Sequence, residues 1–154
     1  MKVSAWRILK AKYQDEPLCG EGARRVGGRW NPKGTPLVYL ADSVALAMLE
    51  VLVHLRDSDT LAKYALAKVS FDSTLVQELR HENLPADWRV FPHPLSTKEI
   101  GRQWTASQSS ALLKVPSSVS PRDANYLLNP QHPDLSEVEV GEVSALSFDP
   151  RLFA

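Results

Sequence analysis

The sequence contains little cysteine, no excess charge of either sign and no long apolar run, and each shortage excludes a class of protein. Cys19 is the only cysteine, so it cannot form an internal disulfide and we expect a reducing, intracellular environment. The 18 basic and 18 acidic side chains balance, which leaves no overall field to favour a nucleic acid or an anionic membrane. The longest apolar run is interrupted by Glu50 and His54 and is too short to span a bilayer. The composition therefore predicts a soluble cytoplasmic protein with no direct nucleic-acid or membrane partner.

The 154 residues suit a single domain, which we expect to span residues 1–154, because the chain shows no repeat, low-complexity tract or linker. Apolar segments predict strands at 3–9, 37–40, 64–71, 111–115, 125–130 and 138–148. One helix is predicted from Asp42 or Ser43 to about Arg56, and a second opens at the capping box Ser96–Glu99. Because helices and strands do not alternate regularly, we expect an α+β fold with a mostly antiparallel sheet and few helices.

A glycine-rich segment precedes the second predicted strand. It contains Gly27-Gly28-Arg29-Trp30, and glycine allows a backbone to approach a ligand closely. A turn of this kind can present a guanidinium, an indole and main-chain N–H groups together. The planar guanidinium of Arg29 is suited to a pyrophosphate. The alternative is a surface loop that its arginines keep soluble.

Two polar side chains interrupt the first predicted helix. Between Val44 and Leu55 only Glu50 and His54 are polar, and residues four apart share a helix face. The stripe is either the solvent side of the helix or the wall of a cleft floored by the strand of Tyr39. A metal site is not expected, since no third ligand has suitable spacing.

The remaining polar candidates give weaker signals. Ser117 follows Pro116 in a turn with no histidine or aspartate at a spacing typical of a triad, so it is interpreted as a hydrogen-bond donor. The other three histidines occupy polar or proline-rich surroundings and are interpreted as ordinary surface or turn residues: His81, His93 and His132.

Taken together, these motifs resemble the RES domain, a family named after an arginine, a glutamate and a serine. On this chain the three match Arg29, Glu50 and Ser117. The resemblance runs from Trp6-Arg7 to the closing segment 148–152 and is carried by the order of several motifs: Gly20-Glu21-Gly22-Ala23, Gly27-Gly28-Arg29-Trp30-Asn31-Pro32, Val38-Tyr39-Leu40-Ala41, the segment 47–55, Val115-Pro116-Ser117-Ser118 and the segment 125–130.

The resemblance implies a growth-inhibiting bacterial toxin of a type II toxin–antitoxin pair, with a fold similar to ADP-ribosyltransferases of the diphtheria-toxin type. The implied partner is an antitoxin with a helix-turn-helix DNA-binding domain, whose C-terminal part covers the active site. The expected assembly is a dimer or a higher toxin–antitoxin assembly. The implied activity is destruction of NAD by hydrolysis or phosphorolysis, and some members ADP-ribosylate a protein.

The resemblance also implies roles for individual residues. Diphtheria-type transferases line the NAD pocket with a His-Tyr-Glu set, in which Tyr39 and Glu50 fit the last two positions and Arg29 replaces the histidine. Cleavage of the nicotinamide–ribose bond develops oxocarbenium character, which the carboxylate of Glu50 would stabilise. Tyr39 would stack on nicotinamide and Arg29 would hold the pyrophosphate. Four more residues are expected to bind the dinucleotide: Trp30, Asn31, Ser117 and Asn125.

Two alternatives to NAD hydrolysis or phosphorolysis remain at this point. The same site could transfer ADP-ribose to a cellular protein. Alternatively, the chain could be a non-enzymatic module whose glycine-rich loop binds an anion or a partner. The second alternative requires Glu50 and His54 to form a solvent-facing stripe.

Overall fold

A computed structural model describes residues 1–55 and 63–153, and one seven-stranded sheet organises them. The strands follow the spatial order β4-β5-β6-β2-β1-β3-β7, and every neighbouring pair is antiparallel except β4–β5. The predicted α+β class with a mostly antiparallel sheet is confirmed. The strands are β1 Lys2–Lys10, β2 Val38–Ala41, β3 Tyr64–Asp72, β4 Val76–Glu78, β5 Leu112–Pro116, β6 Ala124–Leu128 and β7 Glu139–Leu146.

Among the described residues, three α-helices accompany the sheet: α1 Glu21–Val26, α2 Val44–Leu52 and α3 Leu95–Ser107. Helix α2 begins as predicted, because the Ser43 side chain accepts a hydrogen bond from the Leu46 N–H at 3.0 Å and so satisfies a free donor of the first turn. The helix ends at Leu52, before the predicted limit, and Arg56 lies outside the described residues. In the described ranges, no helix has the length and apolar character needed to cross a membrane.

The other two helices differ from the sequence-based expectation. Helix α3 lacks the predicted capping box, since its N-cap is Pro94 and Ser96 donates instead to Asp87 Oδ1 at 2.6 Å. Helix α1 was not predicted. It buries none of its six residues, so no apolar periodicity could reveal it.

The hydrophobic core lies on both faces of the sheet at its centre. Strand β6 is buried along its whole length, as expected for a strand covered on both faces. Side chains alternate along a strand, so Leu127 packs on one face with Trp30 and Trp104, whereas Leu128 packs on the other with Phe71.

A cleft opens in the sheet between β1 and β2. Strand β1 pairs with β3 at nine consecutive positions, but with β2 only at Trp6 and Ala41. All residues of both strands are described, and no further backbone pairing joins β1 to β2 on either side of this pair. Through the alternation of side chains, Trp6 and Ile8 of β1 share one face with Tyr39 and Ala41 of β2. This face carries the cavity described below.

The glycine-rich loop lies directly against α3. A Cβ added at Gly101 would sit 1.6 Å from the Trp30 carbonyl oxygen, and one added at Gly28 would sit 2.6 Å from the Tyr39 hydroxyl. Both positions therefore require glycine, because real Cβ atoms do not approach other atoms so closely. The loop is a packed part of the fold.

We predict that Gly101→Ala destabilises the protein by about 1–3 kcal/mol, since α3 and the loop must separate to admit the methyl group. Denaturant unfolding followed by circular dichroism measures the change. Gly22→Ala is the matched control. It lies in α1 with no atom within 4 Å of the added Cβ, and it should leave stability unchanged or raise it by about 0.5–1 kcal/mol. Equal stability of the Gly101→Ala protein and the parent would contradict the close packing.

Candidate active site

A cavity of about 380 Å³ lies where the glycine-rich loop, β2, β6 and the end of α2 meet. It adjoins a second cavity of about 280 Å³ in the cleft between β1 and β2, and the two share Tyr39, Glu50 and His54. Combined, they fall within the size range of small-molecule sites. Five residues predicted from the sequence line the larger cavity: Arg29, Trp30, Tyr39, Glu50 and Asn125.

Tyr39 forms the wall between the two cavities. Its hydroxyl accepts a hydrogen bond from the Trp30 N–H at 3.0 Å and donates to Asn31 Oδ1 at 2.5 Å. Burial raises the pKa of Tyr39, so the phenol stays protonated. The ring is therefore fixed by its hydroxyl at one end, and Tyr39 lines both cavities.

Glu50 projects from the last turn of α2 and is held by two side chains from the sheet. Ser117 Oγ donates to Glu50 Oε2 at 3.0 Å, and Asn125 Nδ2 donates to Oε1 at 2.8 Å. Burial raises the pKa of Glu50, and the two hydrogen bonds oppose that rise. Glu50 is half-buried and oriented, so it does not belong to a solvent-facing stripe.

Arg29 fastens a distant segment over the cavity. Its Nη1 donates to the carbonyl oxygens of Trp88 and Val90 at 2.7 and 2.9 Å, and Arg89 Nε donates to the Ser118 carbonyl at 3.0 Å. The segment 88–93 is thereby tied to the glycine-rich loop and to the turn after β5, and its residue His93 lines the cavity. Since both bonds of Arg29 use one nitrogen, its Nε–H and Nη2 donors remain available within the described part of the chain.

Arg7 is a second guanidinium at the site, which the sequence analysis did not single out. It lines the cleft between β1 and β2, and its Nη1 donates to the Tyr39 carbonyl at 3.4 Å. Its Nε is buried without a hydrogen-bond partner among the described residues. The signal that could have revealed it is a charged residue in the middle of an otherwise apolar strand.

His93 contradicts its interpretation as an ordinary surface or turn residue. It lines the cavity with His54, and the two ring centroids are 6.1 Å apart in an edge-to-face arrangement. Burial and the nearby Arg29 lower the pKa of both imidazoles, that of His93 to about 4. No local spacing signalled His93, because a proline-rich segment has no periodicity.

Two predicted ligand-binding residues lie behind the cavity wall. Asn31 is fully buried, and its amide donates to the carbonyl oxygens of Ala23 and Thr35 while its Oδ1 accepts from Tyr39. Ser117 is also fully buried and contacts Glu50. In this structure both residues position other side chains of the site. Among residues 1–55 and 63–153, no three or more His, Cys, Asp or Glu side chains group as a metal site would require.

Comparison with known sequences identifies relatives along nearly the whole chain. The RES domain family model matches residues 4–149. A protein of Yersinia enterocolitica named Toxin Res is 42% identical over 149 residues, which cover 96% of this chain and 97% of that protein. The Prs ADP-ribosylating toxin of a Sphingobium species is 36% identical over 157 residues, covering 99% and 98% respectively.

A third relative, from Mycobacterium tuberculosis, matches in sequence and in structure. This relative, named NAD(+) phosphorylase MbcT, is 48% identical over 52 residues, which cover 33% of this chain and 28% of that protein. A chain of the solved MbcT–MbcA toxin–antitoxin complex superposes with a TM-score of 0.80 at 23% identity, covering 99% of this chain and 87% of that chain. This superposition shows a shared fold.

We predict that Ser117→Ala raises the pKa of Glu50 further, because one of two hydrogen bonds to the carboxylate is lost. It should also destabilise the fold by about 1–3 kcal/mol, since the N–H groups of Val119 and Ser120 lose the same oxygen as acceptor. A carbon-detected NMR titration of the Glu50 carboxyl measures the first effect. Ser118→Ala, on the adjacent residue, is the control and should leave the titration unchanged. An unaltered Glu50 titration in Ser117→Ala would refute the positioning role.

Proposed function

We propose, given that this chain belongs to the RES domain family, that it is a bacterial toxin that depletes NAD by cleaving the nicotinamide–ribose bond. One observation carries the proposal. A half-buried carboxylate, Glu50, is oriented by two hydrogen bonds, and it lines with the immobilised aromatic ring of Tyr39 a cavity to which Arg29 contributes a guanidinium. The proposed location is the cytoplasm, where NAD is available.

The proposed chemistry follows from the charge that develops on the ribose. As the glycosidic bond breaks, its electron pair moves to the pyridinium nitrogen and the sugar gains oxocarbenium character. A carboxylate already fixed beside the sugar stabilises that charge with no reorganisation at the moment of reaction. Because nicotinamide leaves as a neutral molecule, no general acid is required.

The other side chains would bind and orient the dinucleotide. The free donors of Arg29 suit a pyrophosphate oxygen. The face of Tyr39 offers a stacking surface for nicotinamide. Asn125 lines the same cavity, and its amide also donates to Glu50. Asn31 and Ser117 would act by holding Tyr39 and Glu50.

Transfer of ADP-ribose to a cellular protein is the second candidate function. It is favoured by the near full-length similarity to a relative named as an ADP-ribosylating toxin. Radiolabel from NAD that appears in a protein band would select this function, whereas label in free ADP-ribose or its phosphate would select NAD depletion.

We further propose that an antitoxin with a helix-turn-helix domain neutralises the protein by covering this cavity. Two exposed apolar side chains at the edge of the cavity, which we call its mouth, support the proposal. Val26 is 71% exposed and lines the cavity, and Phe91 is 71% exposed and contacts the ring of His93. Apolar side chains left exposed around a site mark an interaction surface.

We predict that Glu50→Gln lowers the rate of NAD cleavage by about 100- to 1000-fold, the usual effect of removing one electrostatic contact to a transition state. Nicotinamide release from purified protein measures the rate, and circular dichroism verifies the fold. The amide is close in shape to the carboxylate. Its oxygen can still accept from Asn125, and its NH2 group can donate to the Ser117 hydroxyl, so the loss of rate measures the effect of the charge. If the folded Glu50→Gln protein cleaved NAD at the parent's rate, Glu50 would not stabilise the transition state.

We also predict that Phe91→Asp weakens neutralisation, because it places a charge in the contact with the antitoxin. In cells that carry the cognate antitoxin, the variant should restore growth arrest, while the parent toxin allows growth. The control is Leu152→Asp, an exposed apolar residue in the C-terminal 3-10 helix and outside the cavity lining. If cells that carry the antitoxin grew equally well with Phe91→Asp and with Leu152→Asp, the antitoxin would not contact Phe91.

A further inference from the structure

A third cavity, of about 540 Å³, lies on the face of the sheet opposite to α2, and we call it the rear cavity. It is formed by the end of β1, the 3-10 turn that follows, the loop before α1 and α1 itself. The alternation of side chains along β1 explains its position. Ile8 packs against Leu46 of α2, whereas Leu9 packs on the other face and lines the rear cavity. Neither Tyr39 nor Glu50 lines it.

Arg7 lies between the rear cavity and the cleft of β1 and β2, and it lines both. Its Nη1 donates to the Tyr39 carbonyl oxygen across the gap between the strands at 3.4 Å, which is longer than the typical distance of about 3.0 Å. Its Nε is buried and has no hydrogen-bond partner among the described residues. Within the same residues Nη2 makes no hydrogen bond either. The edge of the guanidinium that carries Nε–H and Nη2–H is therefore left for a ligand.

Arg7 is also a cation without a counter-ion. Among residues 1–55 and 63–153, no ion pair involves it. Burial lowers the pKa of Arg7, and the nearby thiol of Cys19 opposes this change. A guanidinium still keeps its charge in a protein, and an enclosed charge is costly unless it is paired. An anion is the partner that the side chain lacks.

Two further cations line the rear cavity, but they are already engaged. Lys12 and Arg25 hydrogen bond to the hydroxyl of Tyr13, and these contacts lower the pKa of the phenol. All three residues are exposed. Arg7 is therefore the cation that the enclosed part of the cavity offers to a ligand.

The rest of the lining indicates which kind of anion fits. Two parallel N–H groups on one edge of a guanidinium match the two oxygens of a carboxylate. Leu9 and the ring of Tyr13 supply apolar surface. Three exposed acidic side chains also line the cavity: Asp15, Glu16 and Glu21. Because they repel a multiply charged anion more strongly than a singly charged one, a monocarboxylate with an apolar body fits best.

We propose that the rear cavity is a second ligand site, which binds the carboxylate of a small apolar molecule through the Nε–H and Nη2–H groups of Arg7. The site does not depend on the cleavage of NAD. Because Nη1 of the same guanidinium donates to the Tyr39 carbonyl, the bound carboxylate shares Arg7 with the strand that forms a wall of the active site.

The first experiment uses 4-fluorobenzoate, a carboxylate on a small apolar ring, as the probe. Fluorine-19 NMR measures its dissociation constant, and nitrogen-15 NMR of the arginine Nε–H groups locates it. We expect saturable binding that moves the Arg7 Nε–H resonance downfield, because a charge-assisted hydrogen bond replaces an unpaired donor. 4-Fluorobenzamide has the same ring without the charge and should bind at least about tenfold more weakly.

Three results of this experiment would overturn the proposal. The absence of saturable binding would show that the cavity takes no such ligand. Equal affinity for 4-fluorobenzoate and 4-fluorobenzamide would show that the charge of Arg7 is not used. Binding that leaves the Arg7 Nε–H resonance in place would show that the probe lies elsewhere.

A substitution provides the second test. Arg7→Lys keeps the charge but removes the planar pair of donors, and it should raise the dissociation constant of 4-fluorobenzoate about tenfold, the equivalent of about 1.4 kcal/mol. Arg122→Lys is the matched control, an exposed arginine outside the cavity lining, and should bind like the parent. Circular dichroism verifies both folds. Unchanged affinity in folded Arg7→Lys would refute the role of the guanidinium, and the Arg7 resonance of the parent decides the question if the variant does not fold.

ADP-ribose tests whether the rear cavity belongs instead to the dinucleotide site. It carries the pyrophosphate of NAD and lacks the nicotinamide–ribose bond, so it can be added to the active protein without turnover. We expect 4-fluorobenzoate to stay bound when ADP-ribose is present at saturation. Displacement of the probe would show that the rear cavity is an extension of the nucleotide site, and the proposal would be wrong. None of these measurements uses NAD cleavage, so their outcome is independent of the proposed function.

Discussion

The arrangement of the site depends on one interaction, the pair of hydrogen bonds that Ser117 and Asn125 make to Glu50. A partly buried carboxylate is costly unless polar groups compensate it. The compensation comes from Ser117, directly after β5, and from Asn125 in β6, whereas the carboxylate comes from α2. The same contacts that make the burial tolerable therefore lock the helix to the sheet and aim the carboxylate into the cavity.

A second set of contacts fixes the part of the cavity wall formed by Tyr39 and the glycine-rich loop. It depends on the close approach of the loop to the Tyr39 ring and to α3. The hydroxyl of Tyr39 links the main chain of Trp30 to the side chain of Asn31, while Gly28 and Gly101 leave no room for a Cβ between the loop, the ring and α3. A loop held in this way needs no periodic pattern of its own, because its neighbours determine its shape. Arg29 is thereby rigid at its base, and it in turn holds the segment that carries His93.

The relatives named for different activities are compatible with one such framework. Cleavage of the nicotinamide–ribose bond is the step that an NAD phosphorylase and an ADP-ribosylating toxin have in common, and only the group that receives the ribose differs. In this chain the carboxylate of Glu50 and the ring of Tyr39 line the same cavity, and the fold alone does not decide which group receives the ribose.

Local patterns in the sequence determined the elements that carry the principal site residues. Apolar segments predicted every described strand except β4, and a cap at Asp42 or Ser43 with an apolar run predicted α2 and its polar residue Glu50. The motif order, by resemblance, singled out Ser117. Tertiary structure alone decided that Ser117 contacts a residue 67 positions away, that Asn31 supports Tyr39, and that Arg7 and His93 face the site. The physical reason is that periodicity in the sequence shows only which face of a helix or strand is buried. Contacts between distant residues depend on strand pairing and on the packing of loops, and these loops have no periodic pattern.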